Sequence, residues 1–182
     1  MDMASKDDLR RVCIARMRRA AAHPNRYVLD KRVAKRLDAF VKRTRARRIM
    51  AYIPMPIEAN IFPLLQRWRQ EGIALYVPFM EGESFRLVKY KYPLKRKRFG
   101  IKEPKNATKK EPKTIDIAIV PVVAVDGNMR RIGFGKGMYD RFFTRYGRRI
   151  GRTVFVSRRA CYTSKPVCDD YDISADAIIT GK

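Results

Sequence analysis

One histidine, His23, occurs in the 182 residues. It lies between two stretches of helical spacing and reads as a turn residue, which leaves imidazole-based acid–base or nucleophilic catalysis without a seat. Cysteine is nearly as scarce. Cys13, Cys161 and Cys168 are odd in number and show no C-x-x-C spacing. They read as ordinary intracellular thiols rather than as metal ligands or nucleophiles. No run of about 18 apolar residues is present, so a membrane-spanning helix is not expected. The first residues, MDMASKDDLRR, lack the apolar centre of a secretory leader, and the expected location is the cytoplasm. Acidic residues are also few, at 18 against 42 Lys and Arg, for a net charge of +24. Such an excess attracts polyanions, whether nucleic acid, acidic lipid or anionic small molecules. It is spread along the whole chain instead of forming one basic arm.

What the chain does have is a core. Hydrophobic residues make up 46% of it, enough for one packed domain of this length. Leu9, Cys13, Met17 and Ala20 recur at helical spacing after Ser5, a suitable N-cap. Val33, Leu37, Phe40 and Val41 predict a second helix over 30–43, capped by Asp30. RIMAYIP (48–54) reads as a buried strand and 57–72 as a third helix stopped by Gly72. IALYVPF (73–79) and SFRLVKY (84–90) read as strands, and the lysine-rich 91–114 as a long loop. IDIAIVPVVAV (115–125) is the most apolar run and the expected central strand. A helix over Met138–Tyr146 follows, then strands at 148–156 and 175–180. Near-continuous apolar strands alternating with helices predict an α/β sheet covered on both faces.

The stretch RRIGFGKGMYDRFF, from Arg130 to Phe143, carries the chemistry. Gly133, Gly135 and Gly137 would let backbone approach an anion closely at a helix start, where unpaired N–H groups favour negative charge. Lys136 and Arg131 would add charge-assisted bonds. Asp140 would open the helix beside them, where a carboxylate can hold Mg²⁺. The spelling is neither a Walker A loop nor a dinucleotide fingerprint. By pattern alone a phosphate site competes with a flexible turn in which Asp140 merely caps the helix and Tyr139, Phe142 and Phe143 pack inward.

GFGKGMYDRFF resembles the G-x-G-x-G-x-Y-D-[RK] signature of the 5-formyltetrahydrofolate cyclo-ligases. SKDDLR, AYIPMPIEANIFPLL, FGIKEP, IDIAIVPVVAVDGNMRR and DDYDISADAIIT resemble further elements of that family, in the family's order and over nearly the whole chain. The resemblance implies a single domain, 1–182, of three-layer αβα architecture with a mostly parallel, Rossmann-like or NagB-like sheet, the N-terminal helices (5–43) packing on it. It implies an ATP- and Mg²⁺-dependent conversion of 5-formyltetrahydrofolate to 5,10-methenyltetrahydrofolate. Phosphoryl transfer to the formyl oxygen would be followed by attack of N10. The substrate would supply its own nucleophile, in keeping with the missing histidine.

By the same resemblance Lys6 and Arg10, one helical turn apart, would meet the ATP phosphates together with Arg131, Gly133, Phe134, Gly135, Lys136, Gly137, Met138 and Tyr139. Lys136 and Arg131 would be the catalytic cations. Ile53, Met55, Glu58, Phe99 and Tyr139 would line the folate site, with Glu58 on the pteridine or formyl end. Asp140 and Asp172 would be the magnesium carboxylates. Met138 stands where the family often has an aromatic residue, and Tyr171 where many members have histidine. A monomer or weak dimer is expected, with no membrane partner and with polyglutamylated folate as a possible substrate form. Two other readings stay open on charge and fold alone: a non-specific nucleic-acid-binding protein, suggested by KYKYPLKRKRF, and another α/β enzyme acting on a phosphorylated small molecule.

Overall fold

A computed structural model describes residues 5–97, 100–105, 107 and 110–182. The N-terminal segment forms α1 (Lys6–Ala22) and α2 (Arg26–Thr44), followed by β1 (Arg48–Met50), α3 (Phe62–Gln70), β2 (Ala74–Glu81) and β3 (Ser84–Lys89). A small hairpin, β4 (Leu94–Arg96) and β5 (Lys102–Pro104), precedes β6 (Ile115–Pro121). Then come the two-residue strands β7 (Ala124–Val125) and β8 (Arg131–Ile132), α4 (Met138–Tyr146), β9 (Ile150–Ser157) and β10 (Ala177–Thr180).

The main sheet has the order β10-β9-β6-β1-β2-β3. All neighbours are parallel except the β2–β3 hairpin. Its middle strands read as continuous apolar runs because both faces are covered. Alternate residues go to opposite sides. Ile49, Ile117, Ile119, Val154 and Val156 pack under α2 and α3, against Val33, Leu37, Leu65 and Trp68. Met50, Ala118, Val120 and Phe155 pack on the other face against Phe142 and Tyr146 of α4. The result is the expected three-layer, mostly parallel architecture. Of the two N-terminal helices expected on the sheet, only α2 packs there; α1 sits apart from both faces, because Leu9 and Cys13 are buried on Val123, Ala124 and Ile132 at the β7–β8 corner.

β6 lies beside β1, so from β1 the chain runs outward one way through β2 and β3, and from β6 the other way through β9 and β10. Where connections leave in opposite directions, a crevice opens beyond the carboxyl ends of the strands. Residues after β1 and β6 therefore face the place where a ligand binds.

Four further expectations need correction. Asp30 does not cap α2. The helix begins at Arg26, and Asp30 is buried within it, because its carboxylate pairs with Arg158 at 2.8 Å. The third helix starts at Phe62, not 57, and leaves 51–61 as an irregular segment after β1. The 91–114 segment is not all loop, since β4 and β5 pair within it. The buried Glu103 carboxylate accepts the Met80 N–H at 2.9 Å and ties that hairpin to β2. Cys13 and Cys161 are not free thiols but a disulfide, with Cα atoms 6.0 Å apart and a sequence separation of 148. The corner packing of α1 brings them together, and no local spacing announces it.

Candidate active site

A cavity of about 540 Å³ opens at the switch point, within the size range of small-molecule sites. Its first wall is the chain leaving β1. Tyr52, Ile53, Met55, Ile57 and Glu58 all line it. This wall has no ladder of its own. Glu58 closes it by donating its N–H to the Met55 carbonyl at 3.0 Å and accepting the Met55 N–H on Oε2 at 2.9 Å. The Tyr52 hydroxyl donates to the Ala59 carbonyl at 2.8 Å. Burial pushes the Glu58 carboxyl up to about 7, against the pull of the Met55 N–H and the Arg131 charge.

The opposite wall is the glycine turn. Gly133, Phe134, Gly135, Lys136 and Gly137 line the cavity and lead into α4 through Met138, Tyr139 and Asp140. Gly137 is the N-cap of α4 at φ +60°, a left-handed conformation that suits glycine, and no side chain caps the helix. The first-turn N–H groups are thereby left for an anion. Gly133 is glycine for a second reason. A Cβ there would lie 2.3 Å from Nη1 of Arg131.

Arg131 forms the floor. Its Nε donates to the Pro121 carbonyl at 3.0 Å, and its guanidinium lies 4.5 Å from the centre of the Tyr139 ring. Burial lowers its pKa, opposed by the charges of Asp140, Glu58 and Asp172. Burial also raises the Tyr139 phenol, so the ring stays neutral.

The third wall is α1. Lys6, Arg10, Ile14 and Arg18 line the cavity at intervals of four residues, one helical face. Arg10 Nε donates to the Gly133 carbonyl at 2.9 Å. Lys6 is ion-paired to Asp172, and Asp172 Oδ2 also accepts the Asp169 N–H at 2.8 Å. Burial works to lower the Lys6 pKa, but the Asp172 hydrogen bond and charge outweigh it and raise it overall. The segment bearing Asp172 is held by Asp126. That carboxylate accepts N–H groups of Asn128 and Arg130 on Oδ1, and of Val167 and Cys168 on Oδ2.

The lining counts six basic side chains and three acids, Glu58, Asp140 and Asp172. Oδ1 of Asp140 is buried and has no hydrogen-bond partner among the described residues. Such an atom is costly unless something fills it, and a cation does. Among the described residues no group of three or more His, Cys, Asp or Glu gathers as a ready-made metal cage. The arrangement is therefore an anion cradle with an acid at its edge, joined to an apolar slot that ends in a carboxyl.

A sequence model of the 5-formyltetrahydrofolate cyclo-ligase family matches residues 2–181. The chain belongs to that family.

The 5-formyltetrahydrofolate cyclo-ligase of Escherichia coli strain K12 is 24% identical over 174 residues, 92% of this chain and 96% of that one. A relative from Schizosaccharomyces pombe is 28% identical over 110 residues, and there the match spans 56% of this chain and about half, 54%, of the relative. The NMR structure of the Aquifex aeolicus 5,10-methenyltetrahydrofolate synthetase matches with a TM-score of 0.78 at 27% identity, covering 97% of this chain and 90% of that one. A family match from end to end leaves the readings as a nucleic-acid-binding protein and as another α/β enzyme without support.

Of the residues that the cyclo-ligase resemblance singled out, all but one line this cavity. Phe99 lies outside the described residues. His23 is elsewhere, in the turn between α1 and α2, where its Nδ1 accepts the Asn25 N–H at 3.1 Å. Cys168 is half-buried, and burial with the Asp126 and Asp172 charges pushes its thiol up to about 12, so it is no nucleophile. Sequence reasoning missed Ile14 and Arg18, although the four-residue step from Lys6 and Arg10 points to them. Nor did it single out Tyr52, Ile101 and Lys102, although they lie in the stretches AYIPMPIEANIFPLL and FGIKEP that carry the resemblance. Among the described residues no helix is long and apolar enough to cross a membrane.

Proposed function

We propose that the protein converts 5-formyltetrahydrofolate to 5,10-methenyltetrahydrofolate, with ATP becoming ADP and phosphate, in the cavity at the switch point. One observation carries the assignment within the family. The glycine turn with Lys136 and the buried Glu58 line the same cavity, so a nucleotide tail and a pterin can meet there.

Phosphoryl transfer rests on alignment and charge neutralisation rather than on a protein nucleophile. The N–H groups opening α4 and the Lys136 ammonium receive the ATP phosphates. Arg10, already fixed to the Gly133 carbonyl, adds charge beside them. Arg131, locked by Pro121 and Tyr139, supplies a buried positive charge between the phosphates and Glu58. The γ-phosphoryl group passes to the formyl oxygen of the folate. N10 then attacks the formyl carbon, and the oxygen departs with the phosphate. Glu58 accepts pterin N–H groups, while Ile53, Met55 and Tyr139 shape the slot for the ring.

Asp140 fits Mg²⁺, because its orphaned oxygen is the kind of donor the ion takes alongside phosphate oxygens and water. Asp172 would be the second carboxylate, with Lys6 released from it towards the phosphates. Bound there, Mg²⁺ neutralises charge on the transferring group. The cationic lining suits ATP and the glutamate carboxylates of folates, polyglutamylated forms included. The described lining of the cavity comes from one chain, so a monomer suffices.

The test follows the absorbance of the methenyl product when 5-formyltetrahydrofolate and Mg-ATP are added. Product that depends on both substrates is expected. No product from protein with a cooperative melt would overturn the assignment.

A further inference from the structure

The Glu58 wall has no regular structure, yet it is held at three points by a group from outside the cavity. Arg158, just past the end of β9, is buried. Its Nε donates to Asp30 Oδ1 at 2.8 Å and its Nη2 to Asp30 Oδ2 at 3.2 Å. Two further N–H groups go to the wall, with Nη1 on the Ile57 carbonyl at 3.2 Å and Nη2 on the Glu58 carbonyl at 2.6 Å. Asp30 completes the grip by accepting the Asn60 N–H at 3.1 Å. One guanidinium and one carboxylate, 128 residues apart in sequence, thus fasten residues 57, 58 and 60 to α2 and β9.

A buried ion pair of this kind is a poor source of net stability. Well-packed apolar residues of similar volume usually serve as well or better. What apolar residues cannot do is hold two adjacent carbonyls and an N–H in fixed directions. We infer that Asp30 and Arg158 are positioning residues for the folate end of the cavity, fixing the 57–60 backbone so that Glu58 and Ile57 face the substrate. The inference rests on the reading of Glu58 as a folate-binding group. Neither residue lines the cavity, and their side-chain hydrogen bonds go to each other and to residues 57, 58 and 60, not to the glycine turn that would hold ATP.

The experiment compares wild type with the double variant Asp30→Leu/Arg158→Met, which replaces the charges by packing, and with Arg158→Lys, which keeps the charge and a donor. Each is titrated separately with 5-formyltetrahydrofolate and with ATP, after its melt is recorded. In the double variant the KM for the folate should rise about tenfold to a hundredfold, the loss that a misplaced binding group brings. The KM for ATP should stay within about twofold, as expected for a distant site. Arg158→Lys should recover part of the folate affinity. A folded double variant with the wild-type folate KM would overturn the inference. So would an equal rise for both substrates, which is general loosening. Failure of both variants to fold would assign the pair to stability alone. Wild-type protein without turnover would instead sink the reaction itself, and the positioning role with it.

Discussion

Arg10 Nε and the Gly133 carbonyl, 123 residues apart in sequence, are joined by a 2.9 Å hydrogen bond. The bond fixes the cationic face of α1 against the glycine turn, and it explains how two basic stretches at opposite ends of the chain form one anion cradle.

Asp140→Asn keeps the shape of the side chain but removes the charge from a buried oxygen that has no partner among the described residues. Turnover should fall on the order of 100-fold, the usual loss when a group facing transition-state charge is removed. The Mg²⁺ concentration for half-maximal rate should rise as well. Steady-state rates across a Mg²⁺ titration read both, and wild-type behaviour in Asp140→Asn would show that the carboxylate is only a helix-start acid. Lys136→Ala should lose rate to a similar degree without changing the Mg²⁺ response.

Glu58 titrates at about 7 in the fold against an ordinary 4.5. A raised carboxyl binds more protons folded than unfolded between those values. Stability therefore falls as pH climbs from 4.5 to about 7, then levels off. The whole effect is about 3 kcal/mol at most. Glu58→Gln cannot ionise and should abolish this slope, so the variant should be more stable than wild type at pH 8 and not at pH 4. Denaturant melts at both pH values make the comparison. Folate affinity should rise with pH through about 7 in wild type, because the ionised form accepts pterin N–H groups better, and it should be flat in the variant.

Gly133→Ala would place a methyl 2.3 Å from the Arg131 guanidinium, whose own bonds to Pro121 and Tyr139 resist movement. A loss of about 1–3 kcal/mol is expected from overpacking, together with a larger loss of turnover as the floor shifts. Thermal melts and rates on the same sample separate the two. An active, fully stable Gly133→Ala would mean that the floor is soft.

The Cys13–Cys161 disulfide ties α1, which carries Lys6 and Arg10, to the segment after β9. Reduction should cost about 2–4 kcal/mol of stability by the usual measure of such cross-links. Because the bond anchors a cavity wall, the KM for ATP should rise on reduction more than that for the folate. Melts and substrate titrations with and without a thiol reductant decide the point, and Cys13→Ala should be indifferent to reductant.

The architecture was legible because its signals are local. Ile117, Ile119 and Val120 sit in an apolar run long enough to demand two covered faces, and Gly133 to Gly137 break the chain between a strand and a helix. Lys6 and Arg10 share a face by spacing alone. What escaped the sequence depends on partners far along the chain. Asp30 precedes an apolar periodic stretch, as a cap does, and only Arg158 on another element makes it a buried anion. β4 and β5 are three residues each and sit in a lysine-rich segment. Their place is set by Glu103 reaching the Met80 N–H, an interaction that leaves no periodic trace. Cys13 and Cys161 looked unrelated for the same reason.

Asp126 gives the cavity an acid limit separate from that of the sheet. Burial tends to raise its carboxyl, but the N–H groups of Arg130, Cys168 and Asn128 outweigh it and hold the group below its ordinary 3.8. Its contribution is complete above that value and is lost as pH falls below it. Much of the order of the segment carrying Asp172 depends on this one ionised oxygen pair, whereas the central strands are held by apolar contact that protons do not touch. In acid the Asp172 edge of the cavity should come undone as a local opening while the sheet is still intact. The first thing lost would be catalysis, with no change in overall fold to mark it.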